Sequence, residues 1–334
     1  MDQYSSREHE LSLPSGRIAT WADIATGGER TASALVTGRF RGQYRGTMTP
    51  LPDGSRDRRI EDPTNLLLIH PLSRALLRPA LRAGVSANAV SAAGLAVGAG
   101  AAAAFANWRD WRFAVLGVAL AAGWLVADGL DGMVARATGT ASPLGRLLDG
   151  LCDHGVFALI YVAVAVSLGT AEAWALGLVA ALSHGVQSSL YEGERARYHR
   201  RVRGEAAAPA PPPARNPLVH AYDALAFGLD RVAAPFDAML AGPGGRSAAA
   251  AYGERAAGPM RLQALLTSNA RVLLLFAACL LGDPKLFWWA EIGPMTLVAV
   301  AGIAWHRAVE ARLLRQARRS MSRPTGAPFE DHTG

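Results

Sequence analysis

Charge and cysteine are both scarce in this chain of 334 residues. Only 18% of the residues are charged and 51% are hydrophobic, which is too apolar for an ordinary soluble domain of this size. The two cysteines, Cys152 and Cys279, lie in apolar stretches, where a lone thiol behaves as a small buried hydrophobe. We therefore expect no structural disulfide. The first 85 residues lack an apolar core followed by a small-residue cleavage site, so a secretory signal is not expected.

The hydrophobic residues are clustered in six near-continuous stretches. Each is close to the ~20 residues that cross roughly 30 Å of hydrocarbon. Helices of a soluble bundle, the main alternative, are rarely apolar on every side over such lengths. The sequence therefore predicts an all-α integral membrane protein, a six-transmembrane-helix bundle. The stretches lie at 86–106, 111–130, 146–168, 173–190, 261–282 and 286–306.

The chain has a net charge of +7 and a pI near 10, and its arginines concentrate in loops beside the apolar stretches. No nucleic-acid-binding motif accompanies these arginines, so no nucleic-acid partner is expected. By the positive-inside rule, both termini and the loops after the second and fourth stretches are predicted to be cytoplasmic. One cluster follows the fourth stretch and the other follows the sixth: Arg195, Arg197, Arg200, Arg201 and Arg203, and Arg307, Arg312, Arg315, Arg318 and Arg319.

Polar segments surround the predicted membrane domain. The cytoplasmic insertion contains a Pro-rich linker and a second predicted surface helix, where apolar residues recur at helical spacing over 218–229. The predicted organisation is a polar N-terminal extension of uncertain order (1–64), a juxtamembrane amphipathic helix (65–83), the six-helix catalytic domain (84–309) with a cytoplasmic insertion (192–258), and a basic C-terminal tail (310–334).

The juxtamembrane segment carries arginines at every fourth position, Arg74, Arg78 and Arg82. This pattern is typical of an amphipathic helix on the cytoplasmic leaflet, with guanidinium groups near lipid phosphates. A solvated basic face of a helix that packs on protein has the same pattern. Both interpretations stay open from the sequence, and Pro71 and Pro79 argue against one unbroken helix.

Four aspartates flank a short polar turn between the second and third apolar stretches. Asp128 and Asp131 are three residues apart and share one helix face, while Asp149 and Asp153 are four apart and share another. A carboxylate near a bilayer costs roughly 2.5–3.5 kcal/mol, so four of them indicate compensating cations. Helix-end carboxylates solvated at the interface are the alternative.

The composition of this acidic segment favours hard cations. Oxygen ligands without histidine or thiolate favour Mg²⁺ or Mn²⁺ over zinc or copper. Two such ions about 3.5–4 Å apart can clamp a diphosphate. Gly132 and Gly145 remove side-chain bulk, Ala135 keeps the same face open, and Arg136 offers a planar fork to phosphate. The segment therefore predicts phosphoryl-type chemistry at the cytoplasmic face.

The run Asp128-x2-Asp131-Gly132-x2-Ala135-Arg136-x8-Gly145-x3-Asp149-x3-Asp153 resembles the signature of the CDP-alcohol phosphotransferases at all eight defined positions. The six-stretch layout over about 86–309 agrees with that family, whereas 1–64 and the loop after the fourth stretch are not covered. The resemblance implies transfer of a substituted phosphate from a CDP-linked donor, often CDP-diacylglycerol, to a hydroxyl acceptor with release of CMP. It also implies a homodimer in the bilayer.

The resemblance assigns roles to individual residues. Two divalent cations, Mg²⁺ or Mn²⁺, are expected on Asp128, Asp131, Asp149 and Asp153. The last of these, Asp153, is expected to be the base that deprotonates the acceptor hydroxyl. The residues expected at the nucleotide are Asp128, Gly132, Ala135, Arg136, Gly145 and Asn88.

The assignments of Asn88 and of the acceptor site rest on weaker patterns. The family often has a Pro-Asn pair where this chain has Ala87 and Asn88. Arg195 and Arg271 are candidates for binding a phosphorylated acceptor, such as inositol phosphate or glycerol phosphate. Membrane orientation and snorkelling also explain these two arginines.

Three other functions have some of the same features. An enzyme of the same family can use a soluble CDP-alcohol such as CDP-choline as donor and a lipid hydroxyl as acceptor. A cation transporter also has carboxylates in its spans, but needs them near the membrane midplane. An aspartate-rich prenyl diphosphate transferase is disfavoured because its aspartates are spaced differently.

Overall fold

The computed structural model describes residues 57–140, 143–205, 233–242 and 245–321, without the side chains of 143–151, 153, 246, 320 and 321. Every regular element within these ranges is helical. Residues 233–240 form a further helical stretch. The helices are α1 (His70–Arg82), α2 (Ala87–Phe105), α3 (Trp111–Thr138), α4 (Pro143–Leu168), α5 (Ala171–Val202), α6 (Gly245–Arg255), α7 (Ala257–Gln263), α8 (Ser268–Leu280), α9 (Lys285–Ala290) and α10 (Thr296–Met321), with short turns at Asn65–Ile69, Ala264–Leu266 and Glu291–Met295.

Three continuous helical segments of the described chain are long and apolar enough to cross a membrane. They are α2, α3 and the run Lys285–Arg319, which joins α9 to α10. Ala257–Leu266 and Ser268–Leu280 make a fourth candidate if this pair, bent by 47°, is one span. All six apolar stretches are helical, but the count of six spans stays a prediction. The described apolar part of α4 is only His154–Leu168, and the second half of α5 is rich in charged residues.

The helix ends follow from local sequence. Ser86 caps α2, because its side chain accepts a hydrogen bond from the Ala89 N–H at 3.2 Å. Asp110 caps α3 in the same way through the Arg112 N–H. The C-terminus of α3 is closed by Gly139 at φ 69°, a left-handed conformation that glycine adopts without strain. These caps fix where the helix with the first two aspartates begins and ends.

Two glycines of α2 hold the signature helices together. A Cβ added at Gly94 would lie 3.1 Å from Ala127 Cβ on α3, and one added at Gly98 would lie 2.4 Å from Val156 Cγ2 on α4. The two glycines are four residues apart, which is the spacing of small residues at close helix crossings in membranes. The face of α2 with Gly94 and Gly98 therefore positions both flanks of the acidic turn.

The segment before α1 also packs on the helical body. Ile60 is 1% exposed, and the Asp62 carboxylate accepts a hydrogen bond from Thr267 Oγ1 at 2.7 Å. Ser73 of α1 donates to the Val126 carbonyl of α3 at 2.9 Å. A Cβ at Gly129 would meet Ser73 Oγ at 2.8 Å, so this glycine permits the approach of α1 to α3. Residues 57–64, which the sequence analysis includes in the extension, thus lie against the membrane domain.

Several sequence predictions lie outside the described residues. They include the extension up to residue 56, the surface helix over 218–229 and the end of the tail from residue 322. Within the described chain, the thiols of Cys152 and Cys279 are not joined in a disulfide.

Candidate active site

The first two aspartates lie on adjacent turns of α3 and differ in exposure. Asp131 is 5% exposed, whereas Asp128 is half-buried. Ser91 of α2 donates a hydrogen bond from Oγ to Asp131 Oδ2 at 2.5 Å. A carboxylate oriented by such a bond is typical of metal sites, where neighbouring groups fix the ligands. The two carboxylates that α3 provides are therefore suitable ligands for a hard cation.

The second aspartate pair lies on α4. The backbone of Asp149 and Asp153 is helical, so the two residues share a face as predicted. Their side chains lie outside the described residues, as does that of Gly145. Among the groups that the structure describes, no set of three or more His, Cys, Asp or Glu side chains could hold a metal ion. The four-carboxylate site thus stays a prediction, for which the described half supplies Asp128 and Asp131.

The other predicted nucleotide residues of the described chain border this aspartate pair. Gly132 and Ala135 are half-buried and Arg136 is exposed. A Cβ at Gly132 would lie 3.3 Å from Arg136 Nη1, so the guanidinium folds back over the glycine. Asn88 is exposed in the first turn of α2, one turn before Ser91.

A cavity of about 480 Å³ opens beside Asp128. Polar side chains from separate parts of the chain face it, including Asn65, Ser188 and Asn269. His154, which follows the predicted base directly in sequence, also lines the cavity. A hydroxyl-bearing molecule in this space would find many hydrogen-bond partners next to the first aspartate of the signature.

Arg195, one of the two predicted acceptor residues, lines this cavity. Its Nη2 donates to Glu61 Oε2 at 3.3 Å, and its Nη1 lies 3.7 Å from Glu192 Oε2. Glu61 also lies 3.4 Å from His70 Nε2. The guanidinium is therefore within reach of an acceptor, but it is engaged by two carboxylates in this structure.

Arg271, the other predicted acceptor residue, is fully buried. Its Nη1 donates to Glu291 Oε1 at 2.5 Å, its Nη2 to Gln187 Oε1 at 3.0 Å, and its Nε to the Leu266 carbonyl at 3.1 Å. Glu291 is also fully buried and accepts a hydrogen bond from Tyr161. Arg271 is not among the described residues that line the cavity. The structure places it inside a buried ion pair that joins α8 to the turn before α10.

Sequence reasoning missed several residues of the site. Ser91 and Glu61 were overlooked because their partners, 40 and 134 positions away, cannot be read from local patterns. Glu291 had a detectable signal, since an acidic residue in an apolar stretch is by default a candidate for a paired or functional role. The Gly94-x3-Gly98 spacing in α2 was a second such signal.

A comparison with protein families agrees with the signature. The family model for CDP-alcohol phosphatidyltransferases matches residues 85–207, which include the whole aspartate signature. No curated protein matches the chain. Members of the family transfer phosphate-alcohol groups, take part in phospholipid biosynthesis and reside in membranes. Residues 85–207 of this chain therefore match a CDP-alcohol phosphatidyltransferase domain.

Proposed function

We propose that this protein transfers a phosphatidyl group from CDP-diacylglycerol to a hydroxyl acceptor and releases CMP. The acceptor is a polyol or a polyol phosphate, such as inositol, inositol phosphate or glycerol phosphate. The observation that carries the proposal is the cavity beside Asp128, which joins the signature helix to hydrogen-bonding side chains from α5 and α8. A lipid donor suits a site built between apolar helices, because its acyl chains can stay in the bilayer.

The proposed reaction exchanges one phosphorus–oxygen bond for another. The acceptor oxygen bonds to the phosphorus that carries diacylglycerol, the bond from that phosphorus to the CMP oxygen breaks, and CMP leaves. Asp153 takes the proton of the acceptor hydroxyl. Two divalent cations, Mg²⁺ or Mn²⁺, would be held by Asp128, Asp131, Asp149 and Asp153 and would supply charge neutralisation at the diphosphate.

We assign the binding of the donor's cytidine nucleotide to residues of the aspartate signature. Arg136 offers two parallel N–H donors to phosphate, while Gly132, Ala135 and Gly145 leave room for the cytidine nucleotide beside Asp128. Asn88, exposed at the start of α2, completes the proposed nucleotide set. Both termini and this site are proposed to face the cytosol, where CDP-linked donors are made, and the enzyme is proposed to be a homodimer.

The charged side chains that line the cavity affect which acceptor it can bind. Glu61, Asp128 and Glu192 are carboxylates, and Arg195 is the one guanidinium among the described residues that line the cavity. A phosphorylated acceptor would have to draw Arg195 away from Glu61. An uncharged polyol could instead bind without breaking that pair, so we rank inositol and glycerol above their phosphates.

An acceptor screen tests the reaction. Purified full-length protein is incubated with CDP-diacylglycerol, Mg²⁺ and one acceptor at a time: inositol, inositol phosphate, glycerol, glycerol phosphate or serine. CMP release is measured, and it should need the acceptor, stop with chelator and return with Mg²⁺ or Mn²⁺. CMP release with CDP-choline and diacylglycerol, but not with CDP-diacylglycerol, would overturn the donor assignment.

The proposed base is tested by Asp153→Asn. This variant should lose transfer while CMP still binds, because the amide cannot accept the acceptor's proton but preserves the shape of the side chain. Equilibrium binding of labelled CMP and the rate of CMP release are measured on the same preparation. Wild-type turnover in the variant would remove Asp153 as the base.

A further inference from the structure

A second cavity, of about 510 Å³, lies between α6 and α10 and shares no lining residue with the cavity beside Asp128. Four arginines line it, Arg255, Arg312, Arg315 and Arg319, together with Trp305. No carboxylate is among its described lining residues. Such a concentration of guanidinium groups favours the binding of an anion.

The arginines of α10 continue an exposed surface of the same helix. Ala301 and Trp305 are exposed, and Arg312 and Arg319 follow Trp305 at seven-residue intervals, which keeps them on one helical face. The exposed face therefore changes from apolar to basic at Trp305. Tryptophan is the residue that prefers the boundary between hydrocarbon and headgroups.

The length of the helical run places the arginines beyond the hydrocarbon. Lys285–Arg319 has 35 residues, and at 1.5 Å per residue it is ~50 Å long, whereas the hydrocarbon is roughly 30 Å thick. Arg312 lies ~10 Å past Trp305 along the axis. Side chains of a helix tilt toward its N-terminus, which directs these guanidinium groups back toward the lipid headgroups.

Contacts from the neighbouring helices shape the cavity. The indole of Trp305 lies directly on α7, where a Cβ at Gly258 would meet Trp305 Cζ2 at 3.0 Å. Arg255 Nη1 donates to Gln316 Oε1 at 2.6 Å and so joins the end of α6 to α10. The basic groups thus come from two helices whose relative position is fixed, unlike the arginines of a single solvated helix face.

We propose that this cavity binds the phosphate of an anionic phospholipid from the adjacent leaflet, at a site separate from the catalytic one. Arg312 and Arg315 contact the phosphate, and Trp305 lies along the top of the acyl chains. The chemistry matches the basic pockets between membrane helices that hold acidic headgroups. The inference does not depend on which acceptor the enzyme uses.

Native mass spectrometry of the delipidated full-length protein tests the proposal. The protein is offered equal amounts of phosphatidylglycerol and phosphatidylcholine, and the bound lipids are counted. Wild type should prefer phosphatidylglycerol by about fivefold or more, and Arg312→Gln/Arg315→Gln should lose that preference. Both arginines are exposed, so the variant should keep its thermal unfolding temperature. If the double variant unfolds at a lower temperature, the single substitutions Arg312→Gln and Arg315→Gln are compared with wild type in the same way.

The matched control is Arg74→Gln/Arg78→Gln, which removes the same charge from two exposed positions of α1. It should retain the lipid preference. An equal loss in both variants, or no preference in wild type, would overturn the proposed site.

Excess inorganic phosphate is added in a separate arm. Lipid that stays bound supports the headgroup as ligand, and complete displacement would identify a soluble-phosphate site instead.

Discussion

Ser91 is the side chain through which the first long apolar helix reaches the signature. Its hydroxyl donates to the buried carboxylate of Asp131, one of the four predicted metal ligands. A ligand that loses such a partner keeps its charge but loses its fixed orientation. The effect should therefore appear in metal affinity before it appears in the fold.

We expect Ser91→Ala to raise the Mg²⁺ concentration for half-maximal activity by about tenfold, within the range for groups that orient metal ligands. The Mg²⁺ dependence of CMP release measures this shift. Ser91→Thr, which retains the hydroxyl, serves as the control and should stay closer to wild type. An unchanged Mg²⁺ dependence in Ser91→Ala would mean that the hydrogen bond does not support cation binding.

Arg271 and Arg195 should respond differently to substitution. Arg271→Gln leaves Glu291 buried without its cation, which should cost about 3–5 kcal/mol and lower the unfolding temperature sharply. Arg195→Gln should mainly change the KM for the acceptor, because that guanidinium is partly exposed in the cavity. Thermal unfolding and acceptor kinetics of both variants separate the two roles. A stable Arg271→Gln with a raised acceptor KM would instead support the predicted role of Arg271 in binding the acceptor.

Helix α2 acts as a spacer between the two halves of the acidic turn. Gly98 leaves room for Val156, one turn after Cys152 on α4, so the separation of α2 and α4 is set at a glycine. A methyl group here would push α4 outward, and the second aspartate pair lies on that helix. Small shifts of this kind matter because two-metal chemistry depends on the spacing of the ligands.

Gly98→Ala should reduce CMP release by tenfold or more and lower the unfolding temperature, since the added Cβ would lie 2.4 Å from Val156 Cγ2. The matched control is Gly100→Ala on the same helix, where the nearest atom would be Leu120 Cδ1 at 3.5 Å. This control should be neutral or slightly stabilising, because alanine favours helix. Equal activities of the two variants would exclude α2 as the spacer.

At the level of helices, hydropathy predicted where the helices begin, whereas the number of membrane crossings stays a prediction. The helices α2 to α5 begin within three residues of the predicted stretches, because their apolar residues and caps are local signals. Helices α3 and α5 continue 8 and 12 residues beyond the predicted ends. The 47° bend before Ser268 and the turn at Glu291–Met295 were not predicted. Both interruptions lie next to the Arg271–Glu291 pair, which forms between residues 20 positions apart, and no local pattern specifies such a contact.

The candidate site likewise has one part that local sequence predicted and one part that it did not. The signature on α3 was predicted from spacing alone, and Asp128 does line a cavity. The opposite wall of that cavity contains Glu61, Asn65 and His70, which the sequence analysis assigned to an extension and a surface helix. Their place in the cavity depends on contacts between residues far apart in the chain, which no local pattern shows. The role of this wall became visible only when the fold brought it to α5 and α8.

Beyond the predicted fourth span, a buried cluster of charges joins α5 to α10 and adjoining helices. Glu194 accepts hydrogen bonds from His306 and Arg307, and Arg197 pairs with it at 2.6 Å. Burial alone would raise the pKa of Glu194, but the hydrogen bond from His306 and the charges of Arg307 and Arg197 lower it from 4.5 to about 2. A carboxyl group with a lowered pKa stabilises the fold above its unfolded pKa and loses this contribution as the pH falls.

We therefore expect the unfolding temperature of the purified protein to fall as the pH is lowered from about 5 toward 2, through the interval between the unfolded and folded pKa values of Glu194. Glu194→Gln should be less stable at neutral pH and should show a shallower acid dependence. Glu172→Gln removes an exposed carboxylate from the same helix and serves as the control. A wild-type unfolding temperature that is constant over this interval would show that Glu194 contributes no acid sensitivity.

The attachment of Asp62 to Thr267 has a consequence for biosynthesis. The two residues are 205 positions apart, so the wall of the cavity that contains Glu61 and Asn65 cannot close until the ribosome has passed the bend before α8. A nascent chain that has completed only the matched family region, up to residue 207, already contains every signature aspartate but lacks the cavity residues at 266–269. The order of synthesis thus makes closure of the cavity one of the last steps of maturation.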